Sequence, residues 1–600
     1  MTIRYAIRPA DPGAHLFHVT VTVDRPDPEG QLFALPAWNP GSYMIREFAR
    51  HIVRLTALAG QRKLRVEKLD KHTWRCAPTE EEVTLAYEVY AFDLSVRAAY
   101  LDPEQSLFNG AAVFVAPIGR ERDDCRLDIF PPAGARAGSW RLTTGLAPAR
   151  GTRAGECGTY LAHDYDELID CPVQMGRFAH RRFEVHGVQH EIAIGGRVAR
   201  LDLNRLQADL TRLCEAHVRL FEPRRPQPPF GRYAFLTLAV DEGYGGLEHR
   251  NSSALICRRD DLPYTGMKES TEGYRRFLGL VSHEYFHAWN VKRIRPQAFV
   301  PYDLARENYT RLLWVFEGFT AYYDDLMLAR AGLMSRAQYL DALGRTMSIV
   351  MQRSARLKQS LAESSFDAWI KYYRQDENAP NSVVSYYQKG SLVALALDLS
   401  IRHESGGRRS LDDLMRWLWR QWRTAGASYE GVGEDAMVDA LRQSTGLDLS
   451  RAVRVWAEGT RDPDFAALLQ SVGIRLQRKL ALESPHFALL GLQVHASGGG
   501  DARVGQVFDG GPAQQAGLAA GDILMALDDL RVTPGRLDAL LARYSPGDVV
   551  QVLAFRREEL QRFELRLARL APPRFVLEVD EKASDVAKRR CHAWCGERRT

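Results

Sequence analysis

The apolar pattern of this chain changes period twice, which limits it to several folded parts rather than one. Up to about residue 170, segments such as 16–23 (LFHVTVTV) and 83–91 (VTLAYEVYA) alternate or run apolar, rich in β-branched and aromatic residues. Turns rich in Pro, Gly and Asp separate them, with no long amphipathic helix between, so residues 1–172 are expected to form an all-β, sandwich-like domain. Near residue 203 the spacing becomes helical. A helix is expected over 203–221, ended by the Pro-rich step 223–229, then a strand at 233–240 (YAFLTLAV). Helical periods follow at 271–291, 307–331, 335–352, 391–403 and 411–425, so 173–475 reads as a mostly α domain with strand at its start. From about Ser484 short apolar strands return, with Gly498, Gly499, Gly500 and the run GGPAQQAGLAAGDILMALDD, making a third unit over 484–570. Residues 571–600, with Lys582, Lys588, Arg589, Arg590, Arg598 and Arg599, read as a solvated basic tail. Six hundred residues exceed what one core supports, and the fold class is multidomain α+β.

Charge excludes one class of partner. Eighty basic and 75 acidic residues, a net charge of +5, are interspersed, so no basic stripe favours nucleic acid. No stretch of roughly 18 apolar residues occurs, so no membrane span is expected. The first 17 residues, interrupted by Asp11, Pro12 and Gly13, lack an export signal. The eight cysteines are scattered, and a cytoplasmic location with reduced thiols is the expectation. Cys591, His592 and Cys595 have metal-compatible spacing, but no second ligand pair lies nearby.

The chemistry centres on HEYFH, His283 to His287. Four residues apart on a helix, both imidazoles reach one metal ion, and Glu284 is placed to take a proton from water there. Some thirty residues on, WVFEGFTAYYDDL carries Glu317 on an apolar helical face, where a carboxylate is costly unless paired or ligating. Two histidines and one carboxylate leave a position open, as catalytic zinc requires. Thr320, one turn beyond, is a candidate supporting partner.

On these residues the chain resembles the glycyl aminopeptidase family of PDZ-containing gluzincins and, more distantly, the aminopeptidase N family. The motifs are HEYFHAWNVKRIRP (283–296), WVFEGFTAYYDDL (314–326), GGLEHRNS (245–252), YYQKGSL (386–392) and PAWNPGSYMIREFARH (36–51). The resemblance implies a thermolysin-like zinc catalytic domain over 173–475, with zinc on His283, His287 and Glu317 and with Glu284 as general base. It also implies that Gly245, Gly246, Glu248 and His249 line the substrate, Glu248 holding the α-ammonium group. His249 stands where aminopeptidase N relatives have asparagine. Tyr387, with Tyr386 in reserve, matches the donor to the oxyanion. The loop 291–306 is longer than in aminopeptidase N relatives. Residues 484–570 resemble a PDZ domain, Leu489-Leu490-Gly491-Leu492 matching the loop that holds a C-terminal carboxylate. Peptides are the implied substrates, with preference for N-terminal glycine or alanine. An endopeptidase that uses the PDZ unit, and a non-catalytic peptide-binding scaffold, remain alternatives.

Overall fold

Alternate residues of the strand Leu16–Val23, namely Phe17, Val19, Val21 and Val23, are buried, and antiparallel pairing with Val83–Tyr90 sets Val19 opposite Tyr87. A period of two with one face covered gives the sheet its register. The computed structural model describes residues 2–136, 138–480, 484–570 and 573–596. Here Leu16–Val23 lies within an eight-stranded sheet, accompanied by two four-stranded sheets. Their inner faces share one core, which includes Tyr5, Phe17, Tyr87 and Phe114. Strands make up most of the regular structure in the expected all-β region, with two short α-helices, Gly110–Val113 and Tyr165–Ile169, among them. One pair in it, Thr2–Asp11 with Asp124–Ile129, is parallel.

A five-stranded sheet follows. Phe178–Val185 pairs antiparallel with Val188–Gly195, which runs parallel to Arg232–Val240. That strand is parallel to Ser252–Arg258, and Gly245–Glu248 closes the edge, antiparallel. Arg232–Val240 is buried at all but its first position, as a central strand covered on both faces must be. On one side Val96 and Leu107 pack with Leu236, Leu247 and Ile256. On the other, Tyr285 of the helix Glu272–Phe286 meets the Tyr233 ring at 4.9 Å.

The chain divides into two compact units: Met1–Thr310 with Tyr323–Met334 and Asp412–Ala440, and Arg311–Tyr322 with Ser335–Leu411 and Leu441–Thr600. In the second, Ser335 and Gln338 form a capping box for the helix Arg336–Gln352. The helix Gln388–Glu404 is buried from Lys389 to Arg402, with Asp398 accepting from Tyr322 Oη at 2.6 Å and Leu411 N at 2.7 Å. Residues 484–570 build their own core from Leu490, Leu492, Leu524 and Val550, among others. Five strands run in the order Leu492–Ala496, Ala502–Val507, Ile523–Leu527, Val549–Arg556 and Glu559–Arg566.

Three expectations need correction. The helix expected over 271–291 ends at Phe286, because the chain turns back at Val291, whose φ is 115°. The helix expected over 307–331 begins only at Leu313, with a break at Glu317. Of the tail expected over 571–600, residues 573–595 are ordered structure. Pro573–Val579 pairs antiparallel with Ile474–Leu480, and Phe575 N donates to Ser348 Oγ at 2.9 Å. The helix Asp585–Cys595 buries Trp594 completely, and its indole N–H donates to Tyr322 Oη at 2.9 Å. Cys591 and Cys595 are buried with their Sγ atoms 4.0 Å apart, while His592 turns outward. None of the eight cysteines forms a disulfide. Among the described residues, no helix is long and apolar enough to cross a membrane.

Candidate active site

Thr271 starts the HEYFH helix by accepting from Tyr274 N at 3.1 Å, which satisfies an otherwise unpaired helix-end donor. Phe277, Leu278, Val281 and Tyr285 bury its inner face. His217 Nε2 meets Ser282 Oγ at 2.8 Å, and that hydroxyl donates to Asp324 O at 2.8 Å. Burial pushes the His217 imidazole down to about 3, so it anchors the helix as a neutral ring.

His283 and His287 stand one turn apart, their rings 4.7 Å between centroids and nearly perpendicular. Each Nδ1 is engaged: His283 with Asp324 Oδ2 at 3.2 Å, His287 with Asn290 O at 2.7 Å. Such bonds fix tautomer and orientation, so Nε2 is the atom each ring offers a metal. Burial raises the Asp324 carboxyl above its usual range, and the bond to His283 partly offsets this.

Glu284 is buried at 4% exposure, and the edge strand Gly245–Glu248 passes directly over it. A β-carbon at Gly246 would overlap the Glu284 carboxylate, and one at Gly41 (φ +96°) would overlap that of Glu248. The positive φ favours glycine at Gly41, and at Gly246 a larger residue would have to displace the Glu284 side chain. Glu248, also 4% exposed, ends this strand. His249 is turned inward, its Nδ1 3.1 Å from Asp170 Oδ1. Asp170 also faces Lys292 Nζ at 2.6 Å and accepts from Arg250 N at 3.1 Å. Against the upward push of burial, the Lys292 ammonium and the His249 bond hold the Asp170 carboxyl far below the usual range. Burial outweighs Asp170 at His249 and lowers its pKa, so His249 is neutral.

In the second unit, Glu317 is 2% exposed and follows the short helix Leu313–Phe316, its N–H donating to Leu313 O at 2.7 Å. A β-carbon on Gly318 would come within 2.7 Å of Gly390 Cα and 2.8 Å of Tyr386 O. The two glycines thus bring the EGFT and YYQKG segments together. Tyr387, half-buried, shares a hydrogen bond with Tyr373 Oη at 3.2 Å. Tyr386 is fully buried with its ring 4.8 Å from that of Tyr387. The Thr320 hydroxyl donates to Phe316 O, one turn back.

Among the described residues, two sets of three side chains can hold a metal ion: His283, His287 and Glu317, and Glu248, Glu284 and His287. Within each set the ligand atoms lie within 4.8 Å of one another. Two oriented imidazoles and a carboxylate form a donor set that suits zinc. Sequence reasoning missed Asp170, Lys292, Asn290 and Asp324. Asp324 alone had a signal, a carboxylate two helical turns beyond Glu317.

Residues 276–393 match the model of the M61 glycyl aminopeptidase family, and residues 4–177 that of the peptidase M61 N-terminal domain. The crystal structure of an aminopeptidase N family protein from Idiomarina loihiensis is 38% identical with a TM-score of 0.92, covering 99% of this chain and 100% of that one. An M1 zinc metallopeptidase from Deinococcus radiodurans is 13% identical with a TM-score of 0.47, over 77% of this chain and 94% of that one. Yeast LTA4 hydrolase in complex with bestatin is 12% identical with a TM-score of 0.46, over 79% and 70%. Both of these likenesses are too slight to bear on function. No curated protein matches the chain. The family models and the Idiomarina relative define the class as peptidase, a hydrolase. Within that class, the chain belongs to the M61 glycyl aminopeptidase family.

Proposed function

We propose that this chain is a zinc-dependent aminopeptidase that releases small N-terminal residues, glycine and alanine, from peptides. The observation that carries the reading is the pair of HEYFH imidazoles, each held through Nδ1 so that Nε2 serves as ligand. Zinc would be held by His283, His287 and Glu317, where it supplies a Lewis acid that polarises the scissile carbonyl and acidifies water. Glu284 takes the proton from that water and passes it to the departing amine. Tyr387 donates a hydrogen bond to the developing oxyanion. A peptide pairs with the open edge of Gly245–Glu248, running antiparallel to it, so that its α-ammonium group meets Glu248. The loop carrying Gly41 lies against the Glu248 carboxylate. A peptide therefore ends there, which favours an exopeptidase over an endopeptidase. His249, bonded to Asp170, steadies the end of this strand rather than touching substrate.

The domain reading is part of the proposal: an N-terminal β domain over 1–172, a thermolysin-like catalytic domain over 173–475 and a PDZ domain over 484–570. The separate core of the last and the place of Leu492–Ala496 at the end of its sheet's strand order support it. A peptide or protein C-terminus is its ligand. We place the protein in the cytoplasm, on its scattered free thiols.

The test is hydrolysis of glycyl- and alanyl-arylamides by purified protein, with chelator and with zinc restored. Loss with chelator and recovery with zinc is the expected result. Hydrolysis of N-acetylated peptides but not of free-amine substrates would replace this reading with the endopeptidase.

A further inference from the structure

Arg97 is a charged group that the proposed reaction leaves unused. Val96, fully buried, packs in the apolar cluster that holds Leu247 and Ile256. Arg97 is tied by its backbone, its N–H donating to Ser95 Oγ at 3.2 Å and its carbonyl accepting from Asn39 Nδ2 at 3.4 Å. These contacts set its guanidinium beside the start of the strand Gly245–Glu248. Nη1 and Nη2 lie 3.7 and 3.9 Å from where a β-carbon on Gly245 would stand. Its Nε is buried and has no hydrogen-bond partner. Among the described residues, no carboxylate forms an ion pair with Arg97. Arg97 is partly buried, and the positive charge of a guanidinium favours an anion beside it.

We propose that Arg97 binds the free C-terminal carboxylate of short peptides, making di- and tripeptides the preferred substrate class. The inference rests on the aminopeptidase reading, because it takes Glu248 as the anchor of the α-amine. From Glu248 to Gly245 is three strand steps, about 10 Å. Extended di- and tripeptides span about 7 and 10 Å. A peptide antiparallel to the strand, its ammonium at Glu248, brings its carboxylate to Gly245 after two or three residues. A planar guanidinium there meets the carboxylate with two parallel N–H donors. A peptide amide, or a longer chain with no carboxylate at that distance, gains nothing from it.

The experiment measures kcat/KM of the full chain on glycyl-alanyl-alanine and on its C-terminal amide, for wild type, Arg97→Ala and Arg97→Lys. Thermal midpoint and zinc content check that the variants fold. Wild type is expected to prefer the acid by roughly 10- to 100-fold, the range for a hydrogen-bonded charge. Arg97→Ala brings the ratio to within about twofold of one, chiefly by raising KM for the acid. Arg97→Lys keeps an intermediate preference. Equal rates on acid and amide in wild type, or a preference that survives Arg97→Ala, would overturn the proposal. Should Arg97→Ala not fold, the wild-type ratio and Arg97→Lys decide. If wild type with zinc hydrolyses no glycyl-arylamide, the aminopeptidase reading itself fails and takes this inference with it. Arylamide turnover together with equal acid and amide rates removes this inference alone.

Discussion

Gly246 admits no side chain unless something near Glu284 moves. In Gly246→Ala the new β-carbon would stand 2.5 Å from Glu284 Cγ, whereas non-bonded carbons settle at about 3.5–4.0 Å. About 1 Å must therefore be given up. The strand is pinned by its pairing, Gly246 opposite Leu255, while the glutamate turns about its own single bonds, so Glu284 gives way. An off-rotamer side chain costs on the order of 1 kcal/mol, so folding is little affected. Catalysis is not so tolerant, since a misplacement of about 1 Å costs roughly 100-fold in rate, or about 2.7 kcal/mol of barrier. Steady-state kinetics on glycyl-arylamide, with zinc content and thermal midpoint in parallel, read the outcome. Expected are a kcat lower by about 100-fold, unchanged zinc and a nearly unchanged midpoint. Wild-type kcat in this variant would refute the proposed role of Glu284, the carboxylate under the strand, as general base. Lost zinc or a collapsed midpoint would show that the backbone had moved instead.

Other perturbations test other parts of the structure. Glu284→Gln should keep zinc yet lower kcat by about 10²- to 10⁴-fold, the worth of a positioned base, as steady-state kinetics beside metal analysis will show. Lys292→Met leaves the Asp170 carboxylate buried without its ammonium, a loss of about 3–5 kcal/mol. Because the folded pKa of Asp170 lies below its unfolded one, its contribution is present above about pH 4 and is lost as the pH falls through the folded value. The variant's deficit in thermal midpoint should therefore hold from pH 7 down to about pH 4 and shrink only as the pH falls below it. A deficit independent of pH would count against the ion pair. Trp594→Ala removes a fully buried indole and should cost about 3–5 kcal/mol in urea unfolding, whereas a solvated tail would lose nothing.

How much of this was legible depended on the range of the interaction. HEYFH could be read because two residues four apart on a helix share a face whatever surrounds them. Glu317 could be read because a carboxylate on an apolar helical face needs a reason to be there. The partners of the histidine Nδ1 atoms could not, since a backbone carbonyl and an acid from another helix are matters of tertiary packing. Lys292 and Asp170, 122 residues apart, carried no mutual sign in either segment. The C-terminal segment was misread for a different reason, because its lysines and arginines dominated the composition. Yet Ala587, Cys591, Trp594 and Cys595 recur at the spacing of one helix face, and those are the residues it buries.

Glycine shows where reading residues one at a time falls short. Gly41 and Gly246 lie against the two buried glutamates, and Gly318 and Gly390 against each other's backbones. In sequence, each sits in a motif valued for its charged or aromatic members: PGSY, GGLE, EGFT and YQKG. In the proposed reaction those members supply the reactive atoms, but their positions depend on how closely the strands, helices and loops approach. A β-carbon at any of the four would separate the segments that these motifs must bring together. The motifs are thus chemistry and packing at once, and substituting only their glycines should disable the site by displacing reactive groups that the chain still carries.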